Sequence, residues 1–395
     1  MKTNVAVIFG CRSTEHEISI ISAVQAMGNF DREKYNVIPV YMDKNGTFLT
    51  GNDFDKIDIF KDSERIEREG EKIAFLSKNG KTVIHFIDSG LFKKRDIPVD
   101  VAFPIVHGTN CEDGTIQGFL EALGVPYVGC DVMSSALGMD KALFKYVLND
   151  RGIPVLPCVS FGSRDWALKR EEIISEIEQK SGYPVIVKPV NLGSSIGISK
   201  AENTDELKAA VELACSFADR ILAEHAVGSL REINCSVLGD RNDCEASPLE
   251  EPVMHDKILS FDDKYRAGAS KNGSKGMASL SRKLPADLSP EKTSEIQKIA
   301  VDTFKCIGAS GVVRIDFLMD TADGDKVYVN EINTIPGSLS FYLWEEGGIK
   351  YPELMDRLIS LAFKRQRERD NLMFTVNTNI LNESSFGSKS KLGKI

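Results

Sequence analysis

Long apolar runs are missing from this 395-residue chain. None approaches the ~20 residues that a membrane-spanning helix needs, which argues against an integral membrane protein. The start runs from Met1 straight into the strand-like residues 5–9, leaving no room for the apolar centre of a signal peptide, so a cytoplasmic location is expected. Paired cysteines are missing too. The eight Cys, at 11, 111, 130, 158, 215, 235, 244 and 306, stand singly, with no CxxC and no zinc-ligand spacing. Reduced, mostly buried thiols are expected. An excess of cations is also absent: 49 Lys and Arg against 58 Asp and Glu leave a net charge of −9. Nucleic-acid binding rests on phosphate neutralisation by Lys and Arg, so the balance argues against it. It does not exclude small anions, which a few local cations can hold. No internal repeat is visible.

What is present is a globular composition, 42% hydrophobic, enough to exclude a largely disordered chain. At ~150 residues per domain the length suggests two or three domains. Residues 5–9, 35–41, 101–106 and 125–128 read as strands and 18 onward and 115–123 as helices, an alternating α/β unit. The charged stretch 52–72 reads as a surface excursion. A second unit starts near Ser134: Asp140 caps a helix over 141–151, and strands at 155–161, 184–189 and 198–200 are interleaved with helices at 170–180 and 204–215. A third unit has strands near 232–238, 312–319 and 326–332, flanked by helices 289–306 and 351–367. Its loop 266–283, rich in Gly, Ser and Lys, reads as a lid, and 382–395 as a frayed end.

Chemistry concentrates in a few places. Arg314 and Asp316 are two apart on one strand, and so are Glu331 and Asn333 on another, so each pair shares a face. If the strands pair, one face presents two carboxylates and an amide, hard oxygen donors that suit Mg²⁺; a solvated polar face is the alternative. Lys188 lies inside an apolar strand, where it needs an anion, and the small residues 193–197 after it could open backbone N–H groups to phosphate. A snorkelling lysine and a plain hairpin would look the same. Lys141 begins a helix, against the dipole, which suits a phosphate facing it. Glu15 precedes an apolar helix and His107 follows a strand; the two could meet in one crevice, or serve as a cap and a structural histidine.

Together these segments resemble the D-alanine–D-alanine ligase family of the ATP-grasp superfamily. The stretches that carry the resemblance are FGCRSTEHEIS (9–19), PIVHGTNCEDGTIQGFLEALGVPYVG (104–129), SSALGMDK (134–141), PVIVKPVNLGSSIGISK (184–200), FDDKY (261–265) and RIDF…NEINTIPG (314–337). They stand in the family's order and cover nearly the whole chain to about residue 365. The resemblance implies a mixed α/β and α+β chain: an N-terminal α/β domain over 1–130, a central ATP-grasp domain over 131–223, a catalytic C-terminal domain over 224–365, and an extension over 366–395. It implies ATP contacts at Lys141, Lys188, Gly193, Ser194, Ser195, Glu224, Glu232 and Lys264, and Mg²⁺ or Mn²⁺ at Asp316, Glu331 and Asn333. Amino-acid contacts fall to Glu15, His107, Ser194, Tyr265, Arg314, Gly337 and Ser340. Of these, Glu15, Ser194, Tyr265, Arg314 and Gly337 would serve catalysis.

The implied reaction joins two D-amino acids, most simply D-alanine with D-alanine, through an acyl phosphate for peptidoglycan precursors. A homodimer acting on small molecules is implied. Three features depart from the family pattern. The lid is longer, His225 stands where a lysine is common, and Ser338-Leu-Ser-Phe-Tyr-Leu-Trp344 replaces the usual run after Pro336-Gly337. That last change keeps D-serine or another amine open as acceptor, while Tyr265 in place of histidine favours an amino acid over a hydroxy acid. A nucleotide-binding protein without catalysis is the reading from another class. The intact Lys188, Arg314, Asp316, Glu331 and Asn333 argue against it.

Overall fold

A computed structural model describes residues 2–87, 96–193, 196–252 and 282–373. Three sheets organise it. The first has seven strands in the order β6-β5-β4-β3-β2-β1-β7. Strand β1 (Thr3–Gly10) leads to helix α1 (His16–Met27) and then to β2 (Tyr35–Met42). Strand β3 (Phe48–Thr50), helix α2 (Ser63–Glu69), β4 (Glu71–Lys78), β5 (Lys81–Phe86), β6 (Ile97–Pro98), β7 (Val101–Pro104) and helix α3 (Thr115–Leu123) follow. β1 pairs in parallel with both β2 and β7, which is why its Val5–Phe9 stretch is apolar on both faces and fully buried.

Helices α4 (Val132–Met139) and α5 (Lys141–Asp150) lead into the second sheet. The Asp140 side chain accepts from the N–H groups of Ala142 and Leu143 and starts α5. The sheet's order is β10-β9-β11-β8. It is built from β8 (Cys158–Gly162), helix α6 (Ser163–Lys180), β9 (Val185–Pro189), β10 (Ser199–Ala201), helix α7 (Thr204–Cys215) and β11 (Arg220–His225).

The third sheet has the order β14-β13-β12-β15-β16. Its strands are β12 (Leu230–Gly239), β13 (Cys244–Pro252), β14 (Arg282–Lys283), then, after helix α8 (Pro290–Cys306), β15 (Gly311–Asp320) and β16 (Lys326–Asn333). A turn at Gly337–Ser340 precedes helices α9 (Phe341–Glu346) and α10 (Tyr351–Asp370).

Several expectations need correction. The stretch 52–72 is not a surface excursion. Phe54 and Ile59 are buried, and Phe54 and Phe60 pack edge-on against Tyr41 and Phe9 respectively. Residues 125–128 make only a single bridge, between Ala102 and Tyr127. Helix α6 begins at Ser163, with a break at Lys169 just before the expected start. A domain limit at 223/224 would cut β11, which continues to His225. The C-terminal unit is not separate either. Ile335, Leu339, Trp344, Leu354 and Leu358 join the apolar core of the first sheet. Helix α10 runs on to Asp370, five residues past 365. Four cysteines are buried and four half-buried, and all eight are free. Among the described residues no helix is long and apolar enough to cross a membrane.

Candidate functional site

The chemistry starts from the alternation of β15. Val313, Ile315, Phe317 and Met319 are buried in the third sheet's core, which turns Arg314 and Asp316 to the other face. Register carries that face across four strands: Glu250 of β13 pairs with Asn234, Asn234 with Asp316, and Asp316 with Glu331. One row therefore holds three carboxylates and an amide. Arg314, opposite Asn333, grips Asp316 with two bonds, Nε–Oδ1 at 2.7 Å and Nη2–Oδ2 at 2.8 Å. Asn333 Nδ2 donates to the same carboxylate at 3.1 Å. Burial works against the Arg314 charge, but Asp316 outweighs it and holds the guanidinium above its ordinary pKa. Glu232 sits opposite Leu318, farther along the same face of β12.

The ladder is irregular between Asp316 and Phe317, where Glu331 and Val329 are the partners and Asn330 is the extra residue. A bulge re-aims side chains, and here Asn330 Oδ1 accepts from Lys188 Nζ at 3.1 Å. Lys188 comes from β9 in the second sheet and also pairs with Glu224 at 2.5 Å. Lys145, completely buried, pairs with the other oxygen of Glu224 at 3.0 Å. Burial would raise the Glu224 pKa, yet the two ammonium groups pull it down to about 2. Burial lowers that of Lys145. Lys141 reaches Glu331 at 3.2 Å and donates to the Leu192 carbonyl at 2.9 Å. Both expected phosphate-side lysines thus bridge the second and third sheets.

The first sheet closes the site from another side. Ser13 Oγ donates to the His107 carbonyl at 2.5 Å and ties the loop before Glu15 to the one after β7. Gly108 has φ +83°, and a Cβ there would lie 3.0 Å from Glu15 Oε2 and 3.1 Å from Ser13 Oγ, so only glycine fits. A Cβ on Gly193 would lie 3.6 Å from the same Glu15 oxygen, which brings the loop after β9 to this crevice. Glu112 accepts from the Gly108 N–H at 2.8 Å and from the Ile335 N–H at 3.1 Å, joining the first sheet to the exit of β16. Burial, and then the charge of Glu15, push its carboxyl up to about 8. Burial lowers the pKa of His107, whose charge state is felt by both Glu15 and Arg314.

Contacts thus place Gly193 beside Glu15, Lys141 on Glu331, Lys188 on Glu224, and Arg314 and Asn333 on Asp316, while Glu112 ties the loop after His107 to Ile335, two residues before Gly337. Ser194, Ser195, Lys264, Tyr265, most of the 266–283 loop and residues from 374 lie outside the described residues. Sequence reasoning missed Lys145, Asn330, Glu112 and Glu250. Lys145 had a signal, a second cation four residues after Lys141 on an apolar helix face. Asp316, Glu331 and Asn333 fit Mg²⁺ in kind, since hard oxygens converge on one face beside two lysines and the ion needs few protein ligands.

Comparison with known proteins agrees with this architecture. The family described as D-ala D-ala ligase N-terminus matches residues 4–130, and D-ala D-ala ligase C-terminus matches 147–360. A protein named D-alanine--D-alanine ligase from Thermosipho melanesiensis is 40% identical over 393 residues, 99% of each chain. The solved D-alanine-D-alanine ligase of Coxiella burnetii superposes with a TM-score of 0.76 at 32% identity, covering 93% of this chain and 96% of that one. The VanG D-Ala:D-Ser ligase of Enterococcus faecalis gives 0.75 at 30% identity, covering 92% and 100%. With both of its domains matched in order over an ATP-grasp architecture, this chain belongs to the D-alanine–D-alanine ligase family.

Proposed function

We propose that the protein ligates two molecules of D-alanine at the expense of ATP, making D-alanyl-D-alanine for peptidoglycan precursors. The observation that carries this reading is the bridge made by Lys141 and Lys188, which bring two buried cations against Glu331 and Asn330 beside the Arg314–Asp316 pair. A polyanion and a carboxylate can approach each other only in such a positive field.

In the first step a carboxylate oxygen of the first D-alanine attacks the γ-phosphorus of ATP. The bond to the bridging oxygen breaks and ADP departs, leaving an acyl phosphate. Lys141 and Lys188 would hold the phosphates, with Gly193, Ser194 and Ser195 as further phosphate contacts and Glu224, Glu232 and Lys264 as nucleotide contacts. Glu15 and His107 receive the first amino acid, with Ser194 and Tyr265 orienting Glu15. In the second step the amine of the second D-alanine attacks the acyl carbon. Arg314 and the Gly337 N–H would face the oxyanion, the C–O bond breaks, and the amine's proton passes to the departing phosphate. Asp316, Glu331 and Asn333 would hold Mg²⁺, which when bound neutralises phosphate charge. Ser340 lies on the acceptor side. The setting is a cytoplasmic homodimer.

Incubation with ATP, Mg²⁺ and D-alanine tests the reading. Phosphate and dipeptide in equal amounts are expected; no phosphate release with any D-amino-acid pair would sink it. Competition between D-alanine and D-serine, read by mass spectrometry, tests the acceptor.

A further inference from the structure

Ser338, Leu339 and Ser340 carry three consecutive left-handed backbones, with φ of 50°, 56° and 50°, and none is glycine. Side chains of L-residues hold such a run only where the surroundings impose it. At Ser338 every polar group is held by a distant residue. Its N–H donates to Ser22 Oγ at 3.1 Å, its hydroxyl donates to Gln25 Oε1 at 2.7 Å, and its carbonyl accepts from the Tyr351 hydroxyl at 3.2 Å. Ser22 and Gln25 are three apart on α1 and so lie on one face of that helix. Ser22 Oγ is also 3.0 Å from His107 Nε2. A hydroxyl has one proton and two lone pairs. The Ser338 N–H occupies a lone pair, and the proton can go to a neutral His107 carrying its own on Nδ1. One buried oxygen thus touches both the loop of the first amino acid and the turn that follows Gly337. The Ser340 hydroxyl, fully buried, has no hydrogen-bond partner among the described residues.

We propose that Ser22 is a positioning residue for the acceptor amino acid: it pins the left-handed 338–340 turn against His107, so that the first domain sets where the acceptor binds. The inference rests on the ligase reading above. Without the Ser22 hydroxyl the Ser338 N–H is buried without a partner, and the imposed turn relaxes. The nucleotide side, built on Lys141 and Lys188 in other elements, keeps its contacts.

The test uses the full chain with Ser22→Ala, Ser22→Thr and Gln25→Ala, measuring the KM for ATP, the KM for D-alanine and the product ratio when D-alanine and D-serine compete. Ser22→Ala is expected to raise the D-alanine KM about tenfold and to shift the dipeptide ratio, with the ATP KM within about twofold of wild type. Ser22→Thr, which keeps the hydroxyl, is expected to restore most of the loss. Gln25→Ala should move the same parameters less, and it carries the test if Ser22→Ala does not fold. Equal rises in both KM values, or an unchanged product ratio, overturn the inference while the ligase reading stands. A wild-type chain that makes no dipeptide overturns the ligase reading itself.

Discussion

Lys145 and Glu224 have almost no access to water; Lys145 and Lys188 together hold the Glu224 carboxylate, and Glu224 is the counter-charge that Lys145 faces. Breaking a buried pair by removing one partner leaves an uncompensated charge. Glu224→Leu, which leaves Lys145 and Lys188 without their shared counter-charge, is therefore expected to lose about 3–5 kcal/mol of stability in urea unfolding; a loss below about 1 kcal/mol would contradict the pairing. The pH dependence follows from the same residue. The Glu224 carboxyl falls from 4.5 unfolded to about 2 folded, so the folded state binds fewer protons between these values. That stability is present above 4.5 and is lost as pH falls toward 2. Glu112 has the opposite sign. Its carboxyl rises from 4.5 to about 8, so the folded state binds more protons there, and its contribution is lost as pH climbs through 8. Melting temperatures across pH should show Glu224→Gln flattening the acid limb below 4.5 and Glu112→Gln flattening the decline between 4.5 and 8. Swapped effects would refute both assignments. Neither shift was legible in the sequence, because a carboxylate's neighbours from other elements decide it. Glu112 stands in a polar loop that reads as solvated.

Among the elements, β15 and β16 were legible because alternation records which face is buried and which is polar. Helices α3, α5 and α7 were legible from their caps and apolar spacing, and their observed ends differ from expectation by at most one residue. Strand β13 was not. Its Pro248 and its Glu245, Glu250 and Glu251 break the apolar alternation that marks a strand, although Glu250 stands in the row of site oxygens. Strands β3 and β6 escaped for another reason, being only three and two residues long, whereas β4 and β5 carry apolar runs at 73–76 and 83–84 that were legible and missed. The β16 bulge was equally invisible, since one extra residue leaves no mark in the residue pattern. It carries its own prediction. Asn330→Ala removes one of the partners of Lys188 seen among the described residues and should raise the KM for ATP by up to about tenfold with little change for D-alanine. An effect on D-alanine alone would place Lys188 away from the nucleotide.

At the scale of the whole molecule, the chain returns to its beginning. α10 buries Leu354, Met355, Leu358 and Ile359 in the first sheet's core, and Arg365 donates to the carbonyls of Tyr127 and Gly129 at 2.5 Å while lying over the Tyr127 ring. Motif order suggests three sequence units, but this return was not legible, because amphipathic spacing in 351–367 does not say which core it meets. A chain ending after Lys350 should lose its cooperative thermal transition, whereas one ending after Met373 should keep it. The opposite result would detach α10 from the fold. The net charge of −9 likewise describes the surface. Lys141, Lys188 and Arg314 meet at the one place where a polyanion must be held.

The acyl phosphate is the claim on which these roles converge, and oxygen-18 in the carboxylate of D-alanine tests it directly. If the carboxylate attacks ATP, the released phosphate carries one labelled oxygen from the substrate, in step with dipeptide formation. Dipeptide accompanied by unlabelled phosphate would contradict the account.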